Sequence, residues 1–159
     1  MITLKRTTAD DSDFQSLVVN LDKELWQRYP LTQQNFAPHN KIDLSARVLV
    51  AYKNELAIGC GCFKPTQDPD TIEIKRMYTS PESRGLGVAK QILLGLEEWA
   101  LEEGYSRSQL ETGTNQPEAI ALYKRLEYLP VPNYPPYEDN KESLCMAKKL
   151  RPKKEISAL

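Results

Sequence analysis

"SPESRGLGVAK", residues 80–90, joins a run that reads as a β-strand, "DTIEIKRMYTS" (70–80), to one that reads as a helix. A tight turn at such a junction leaves several backbone N–H groups unpaired, and the helix dipole adds roughly half a positive charge there. Gly85 and Gly87 let a ligand approach with no Cβ in the way, and Arg84 can add a charge-assisted contact. Phosphate is the ordinary ligand of such a turn. Two familiar phosphate patterns fail here. No Walker loop is present, and the dinucleotide fingerprint that Gly85 and Gly87 begin has Lys90 where its third glycine belongs. At this point an ordinary loop that happens to hold glycines is also open.

Working outward, Val88, Ile92, Leu93, Leu96, Trp99 and Ala100 mark one face of the following helix, with Gly104 as its C-cap. "SQLET" (108–112) is a short strand, and "PEAIALYKRLE" (117–127) a helix with Pro117 in its first turn. Prolines punctuate residues 130–136, "ESLCMAKKL" (142–150) makes a closing strand, and residues 151–159 form a basic tail. Upstream, "RVLVAYKNELAIGCGCFKP" is a β-hairpin turning at Lys53-Asn54-Glu55. "ITLKRT" (2–7) is a first strand, and Phe14, Leu17, Val18, Leu21 and Leu25 give the next segment helical periodicity. Residues 30–45 are polar and irregular. The order is β, α, a variable stretch, three antiparallel-type strands, α, β, α, β. It describes one α/β (α+β) domain over residues 1–150 with a mixed, mostly antiparallel sheet of six to seven strands and helices on both faces.

The chain has 159 residues, enough for one compact domain with a real core. A net charge of −1 supplies no bulk field to gather nucleic acid or an anionic membrane, so any anion site is local. No apolar run approaches the ~20 residues of a membrane span, and the N-terminus lacks a secretion-signal core. Cys60, Cys62 and Cys145 fall short of a four-ligand zinc set, and the only histidine, His39, stands apart, so no metal site is expected. All three read as buried thiols of a cytoplasmic protein.

Arg84-x-x-Gly87-x-Ala89 resembles the R/Q-x-x-G-x-G/A signature of the GNAT family of N-acetyltransferases. The strand ending "RMYTSPESRG" resembles the family's strand-V-x-P-x-x-R-G. "QPEAIALYKRLEY" resembles N-x-x-A-x-x-L-Y-x-x-x-G-F about thirty residues later. The likeness covers residues 47–128 by motif spacing. It implies a sheet opened into a V between the fourth and fifth strands, with acetyl-CoA as co-substrate and its pyrophosphate on Arg84, Gly85, Leu86, Gly87, Val88 and Ala89. The backbone amides of Met77 and Thr79 would bond to the pantetheine and acetyl carbonyls, with Tyr78 between them as a further cofactor-binding residue. The resemblance further implies Tyr123 as the acid that protonates the leaving thiolate, and Glu73 as a base for the amine.

Acetyl transfer to an amine needs a polarised carbonyl, a neutral amine and a proton for the thiolate, and positioning replaces any covalent nucleophile. An unperturbed phenol near pKa 10 would suit a thiolate of comparable basicity. Two positions depart from the pattern. Gln116 stands for the family's asparagine, with Asn115 one residue earlier, which leaves open which of them meets the cofactor. Glu127 stands where a glycine is expected before the closing aromatic. The resemblance implies a primary amine of a small molecule or peptide as acceptor, and residues 29–45 and 131–142 sit where the family builds acceptor pockets. Tyr29, Tyr134, Tyr137, Glu138 and Asp139 there could favour a cationic amine, a proline-rigid connecting loop with exposed tyrosines being equally open. A non-catalytic acyl-CoA sensor is the alternative. Dimerisation through the C-terminal strands is common in the family, and the sequence leaves it open.

Overall fold

A computed structural model describes residues 1–28 and 45–152. In chain order the elements are β1 (Ile2–Thr7), α1 (Ser12–Arg28), β2 (Arg47–Lys53), β3 (Leu56–Pro65), β4 (Thr71–Thr79), α2 (Val88–Glu102), β5 (Arg107–Gly113), α3 (Pro117–Arg125), β6 (Leu129–Val131) and β7 (Ser143–Lys149). The strands make one sheet in the order β1-β2-β3-β4-β5-β7-β6. Every pairing is antiparallel except β4 with β5. The mixed architecture expected from the element order is therefore present. Most of the stretch 29–45, with Tyr29 and His39, and most of the basic tail lie outside the described residues.

Period-two alternation along β2 sorts the core into two layers. Val48 and Val50 face α1, whose Phe14, Leu17, Val18 and Leu21 are buried beside Cys60 and Cys62. Leu49 and Ala51 face α2, where Val88, Ile92, Leu93, Leu96 and Ala100 pack with Ile72 and Ile74. The three cysteines are free and buried, as their pattern suggested. Asn54 and Glu55 both have positive φ (51° and 66°), the two-residue turn whose twist matches a hairpin.

Three places depart from simple reading. The helix 117–127 ends at Arg125, and Glu127 takes φ 74°. The N–H of Tyr128 bonds to the Tyr123 carbonyl at 2.9 Å and that of Glu127 to Lys124 at 3.1 Å, which closes a Schellman turn on a non-glycine residue. The proline-punctuated stretch contains a strand, β6, carrying Pro130 and lying at the sheet edge, where a missing N–H is tolerated. In β4, Arg76 and Met77 together oppose Gly61, a bulge in which Arg76 takes φ 61°.

Glu97 of α2 ties the C-terminal strands to the rest of the fold. It lies 2.8 Å from Lys148 Nζ of β7 and accepts a 2.8 Å hydrogen bond from the Tyr128 hydroxyl, which also meets Ser108 Oγ of β5 at 2.8 Å. No helix among the described residues is long and apolar enough to cross a membrane.

Candidate active site

β4 and β5 pair only from Thr71↔Arg107 to Ile74↔Leu110. Beyond that point β4 continues to Thr79 on β3 alone, and β5 continues to Gly113 on β7. The expected V is this divergence. At its apex lies a cavity of about 100 Å³ whose lining includes Glu73, Lys75, Arg76, Glu111, Tyr123 and Tyr137. A larger groove of about 750 Å³ runs from there between the end of β4, the turn 83–90, α3, and Leu21 and Glu24 of α1. Met77, Gln116 and Tyr123 line both, so Tyr123 stands where the two spaces meet.

Met77, Tyr78, Thr79, Arg84, Gly85, Gly87, Val88, Ala89 and Gln116 line the groove together. Leu86 is 53% exposed and lies outside the lining, as does Asn115, whose carbonyl accepts from Arg28 Nη1 at 3.1 Å. Of the two candidates after β5, Gln116 is the one that faces the groove. Its Oε1 also accepts from the Gly113 N–H at 3.1 Å, fixing the turn into α3.

Gly85 and Gly87 have φ of 83° and 80°, and nothing lies within 4 Å of where a Cβ would stand. The turn needs glycine for its backbone shape and keeps open space above it. Helix α2 has no side-chain N-cap, and its first intrahelical bond is Gln91 N–H to Gly87 O at 3.1 Å. The N–H groups of Val88, Ala89 and Lys90 precede that bond and stay available to an anion. This cradle fits a pyrophosphate. Arg84 is already engaged: Nε donates to the Thr79 carbonyl at 2.9 Å, and Nη2 lies 2.9 Å from Glu24 Oε1. An arriving anion would share this guanidinium with Glu24.

At the apex, Glu73 is buried and accepts from the Tyr134 hydroxyl at 3.3 Å. Lys75 Nζ donates to the Tyr137 hydroxyl at 3.3 Å, and burial holds its pKa below the usual lysine value despite the nearby Glu73 charge. Sequence reasoning missed Glu111. Burial pushes its carboxyl up to about 7, with Glu73 adding to the rise and Lys75 opposing it. The signal was available in the register. Glu73 pairs with Gln109, so period two puts Glu111 on Glu73's face once Leu110 is assigned to the core.

Tyr123 is 6% exposed, and burial, with the Glu111 charge adding to it, raises its phenol well above 10. This corrects the expectation of an ordinary phenol. The same dry surroundings raise the proton affinity of any thiolate placed beside it, so the two basicities move together.

A sequence profile of the Acetyltransferase (GNAT) family matches residues 11–128. The chain belongs to the GNAT family. An IAA acetyltransferase from Azospirillum brasilense is 32% identical over 150 residues, covering 91% of this chain and 97% of that protein. A solved acyl-CoA N-acyltransferase candidate from Klebsiella pneumoniae superposes with a TM-score of 0.78 at 29% identity, over 95% of this chain and 99% of that one. A GNAT acetyltransferase from Elizabethkingia anophelis, solved with acetyl-CoA bound, shares the fold at a TM-score of 0.68 and 20% identity, over 94% of this chain and 98% of that one. This GNAT protein is accordingly an acetyl-CoA-dependent acetyltransferase.

Proposed function

We propose that this GNAT acetyltransferase moves the acetyl group of acetyl-CoA to a primary amine of a small molecule or peptide, by direct attack with both substrates bound. The observation that carries the reading is the meeting of the groove and the apical cavity at Tyr123, with Glu73 and Glu111 lining the cavity. A sensor would need the groove alone; a cavity that brings two carboxylates and Tyr123 into one lining supplies groups for moving protons.

In this reading acetyl-CoA supplies an activated acyl group on a thiol leaving group. The helix α2 N-terminus and Gly85–Gly87 hold its pyrophosphate. The bulged end of β4 has no strand partner on its β5 side and offers backbone N–H groups to carbonyls. The Glu73/Glu111 pair takes the ammonium proton, and burial brings the proton affinity of Glu111 to about neutral pH. Tyr123 gives its proton to the departing sulfur and is restored by the second proton that the nitrogen sheds as the amide forms.

The test is amine-dependent thiol release over a panel of acceptors. As pH rises through about 7, Glu111 loses its proton and becomes able to accept one, so kcat/KM should rise with a limb there. Glu111→Gln should abolish that limb and lower the plateau about a hundredfold. A limb that persists unchanged in the variant would move the base elsewhere, Glu73→Gln being the companion measurement. The cradle has its own test. Gly87→Asp puts a carboxylate into the open space above the turn and should raise the acetyl-CoA KM by about a hundredfold through clash and repulsion. An unchanged KM would remove the pyrophosphate from this turn.

A further inference from the structure

Nη2 of Arg84 meets both carboxylate oxygens of Glu24, Oε1 at 2.9 Å and Oε2 at 3.0 Å. The guanidinium is steadied from the other end, where Nε donates to the Thr79 carbonyl at 2.9 Å. Arg84 and Glu24 both line the groove of about 750 Å³, so their contact joins two of its walls, the turn after β4 and helix α1. The two side chains are 38% and 25% exposed. An ion pair this open to water is weak and exchanges readily. A carboxylate in that place nevertheless occupies the cation that the turn would otherwise present whole to an anion.

Glu24 has a second cation within reach. Arg28, one turn further along α1, lies 3.9 Å from Glu24 Oε1 and 2.8 Å from Glu118 Oε1 of α3, another residue of the groove lining. It also donates to the Asn115 carbonyl at 3.1 Å, which holds it in place. The row Arg84, Glu24, Arg28, Glu118 thus runs from the turn through α1 to α3. If Glu24 yields Arg84 to an incoming anion, it keeps Arg28 beside it and is not stranded as a lone charge. When the anion leaves, the same carboxylate is at hand to cover the arginine again.

We propose that Glu24 is a resident counter-ion that competes with the pyrophosphate of acetyl-CoA for Arg84 and reclaims it as CoA departs. It weakens the hold on the cofactor and speeds release of the product. This rests on the reading of the turn at Gly85–Gly87 as the pyrophosphate cradle. Glu24 is a positioning residue that acts through Arg84 and takes no part in proton transfer.

The experiment measures CoA binding by calorimetry and CoA dissociation by stopped flow. It compares the wild type, Glu24→Gln, Arg84→Gln and the double variant. Glu82→Gln is the control, since it removes the same charge from an exposed side chain of the same turn, outside the groove lining. Glu24→Gln should tighten CoA roughly fivefold, mainly through slower dissociation. Arg84→Gln should weaken CoA, and in that background Glu24→Gln should change the affinity by less than about twofold. Glu82→Gln should also stay within about twofold of the wild type. A carboxylate that merely held Arg84 in position would give the opposite sign, weaker CoA binding in Glu24→Gln. That result, an unchanged affinity, a gain that persists without Arg84, or an equal gain in Glu82→Gln would each overturn the proposal. Arg84→Gln without effect on CoA also overturns it. If Gly87→Asp is without effect as well, the cradle reading itself fails.

Discussion

Replacing Tyr123 with phenylalanine is expected to lower kcat by roughly a hundredfold to a thousandfold while leaving the acetyl-CoA KM within about twofold. The substitution removes one oxygen. The ring keeps its edge-on contact with Tyr128, 6.0 Å between centroids, and its place in the core under α2 and β4. The hydroxyl makes no hydrogen bond to protein among the described residues, so its loss breaks nothing in the fold. What disappears is the hydroxyl at the junction of groove and cavity that we propose as the proton donor. An unchanged melting temperature separates this effect from misfolding, and a loss in kcat below about threefold would mean that the thiolate takes its proton from water. Because the phenol is raised by burial, no falling limb from its ionisation should appear below about pH 10 in the wild-type rate profile.

Glu97→Ala should be the most destabilising single change at a polar site, by about 3–5 kcal/mol. The carboxylate is 6% exposed, and the side chain of its partner Lys148 is only 12% exposed. Deleting the acid strands an ammonium between α2 and β7 and takes away the acceptor of the Tyr128 hydroxyl. Urea unfolding reads the loss, and a value under about 1 kcal/mol would show the pair to be screened by solvent. The double substitution Glu97→Leu with Lys148→Met should regain most of the stability, since an apolar replacement of a buried pair is often neutral. The two results together would show that the network fixes the position of the C-terminal strands more than it stabilises them.

The sequence made some of this legible and hid the rest for physical reasons. Helices α1 and α2 and the hairpin were readable because periodicity and turn chemistry are local. The turn 80–90 was readable because glycine at positive φ before a helix has few other uses. Strand β6 was hidden because three residues with a proline carry no strand pattern; only pairing with Cys145–Ala147 makes them one. Glu127 shows the opposite case, a conformation retained where the residue that usually signals it is missing. Glu111 and Arg76 depend on sheet register and on a bulge, and neither is written in the residues adjoining them. The position of Tyr123 could be anticipated, but not the burial that changes its acidity.

The short β4–β5 pairing has a bearing on solubility as well. Past Ile74, β4 presents an unpaired row of N–H and C=O groups, which on the outside of a sheet would invite another polypeptide to add on. Here Lys75, Arg76 and Met77 of that row line the apical cavity with Glu111, Tyr123 and Tyr137, and Met77, Tyr78 and Thr79 line the groove of about 750 Å³. The unpaired edge thereby lies between two strands of the sheet and not on its outer border, where edge-to-edge pairing begins.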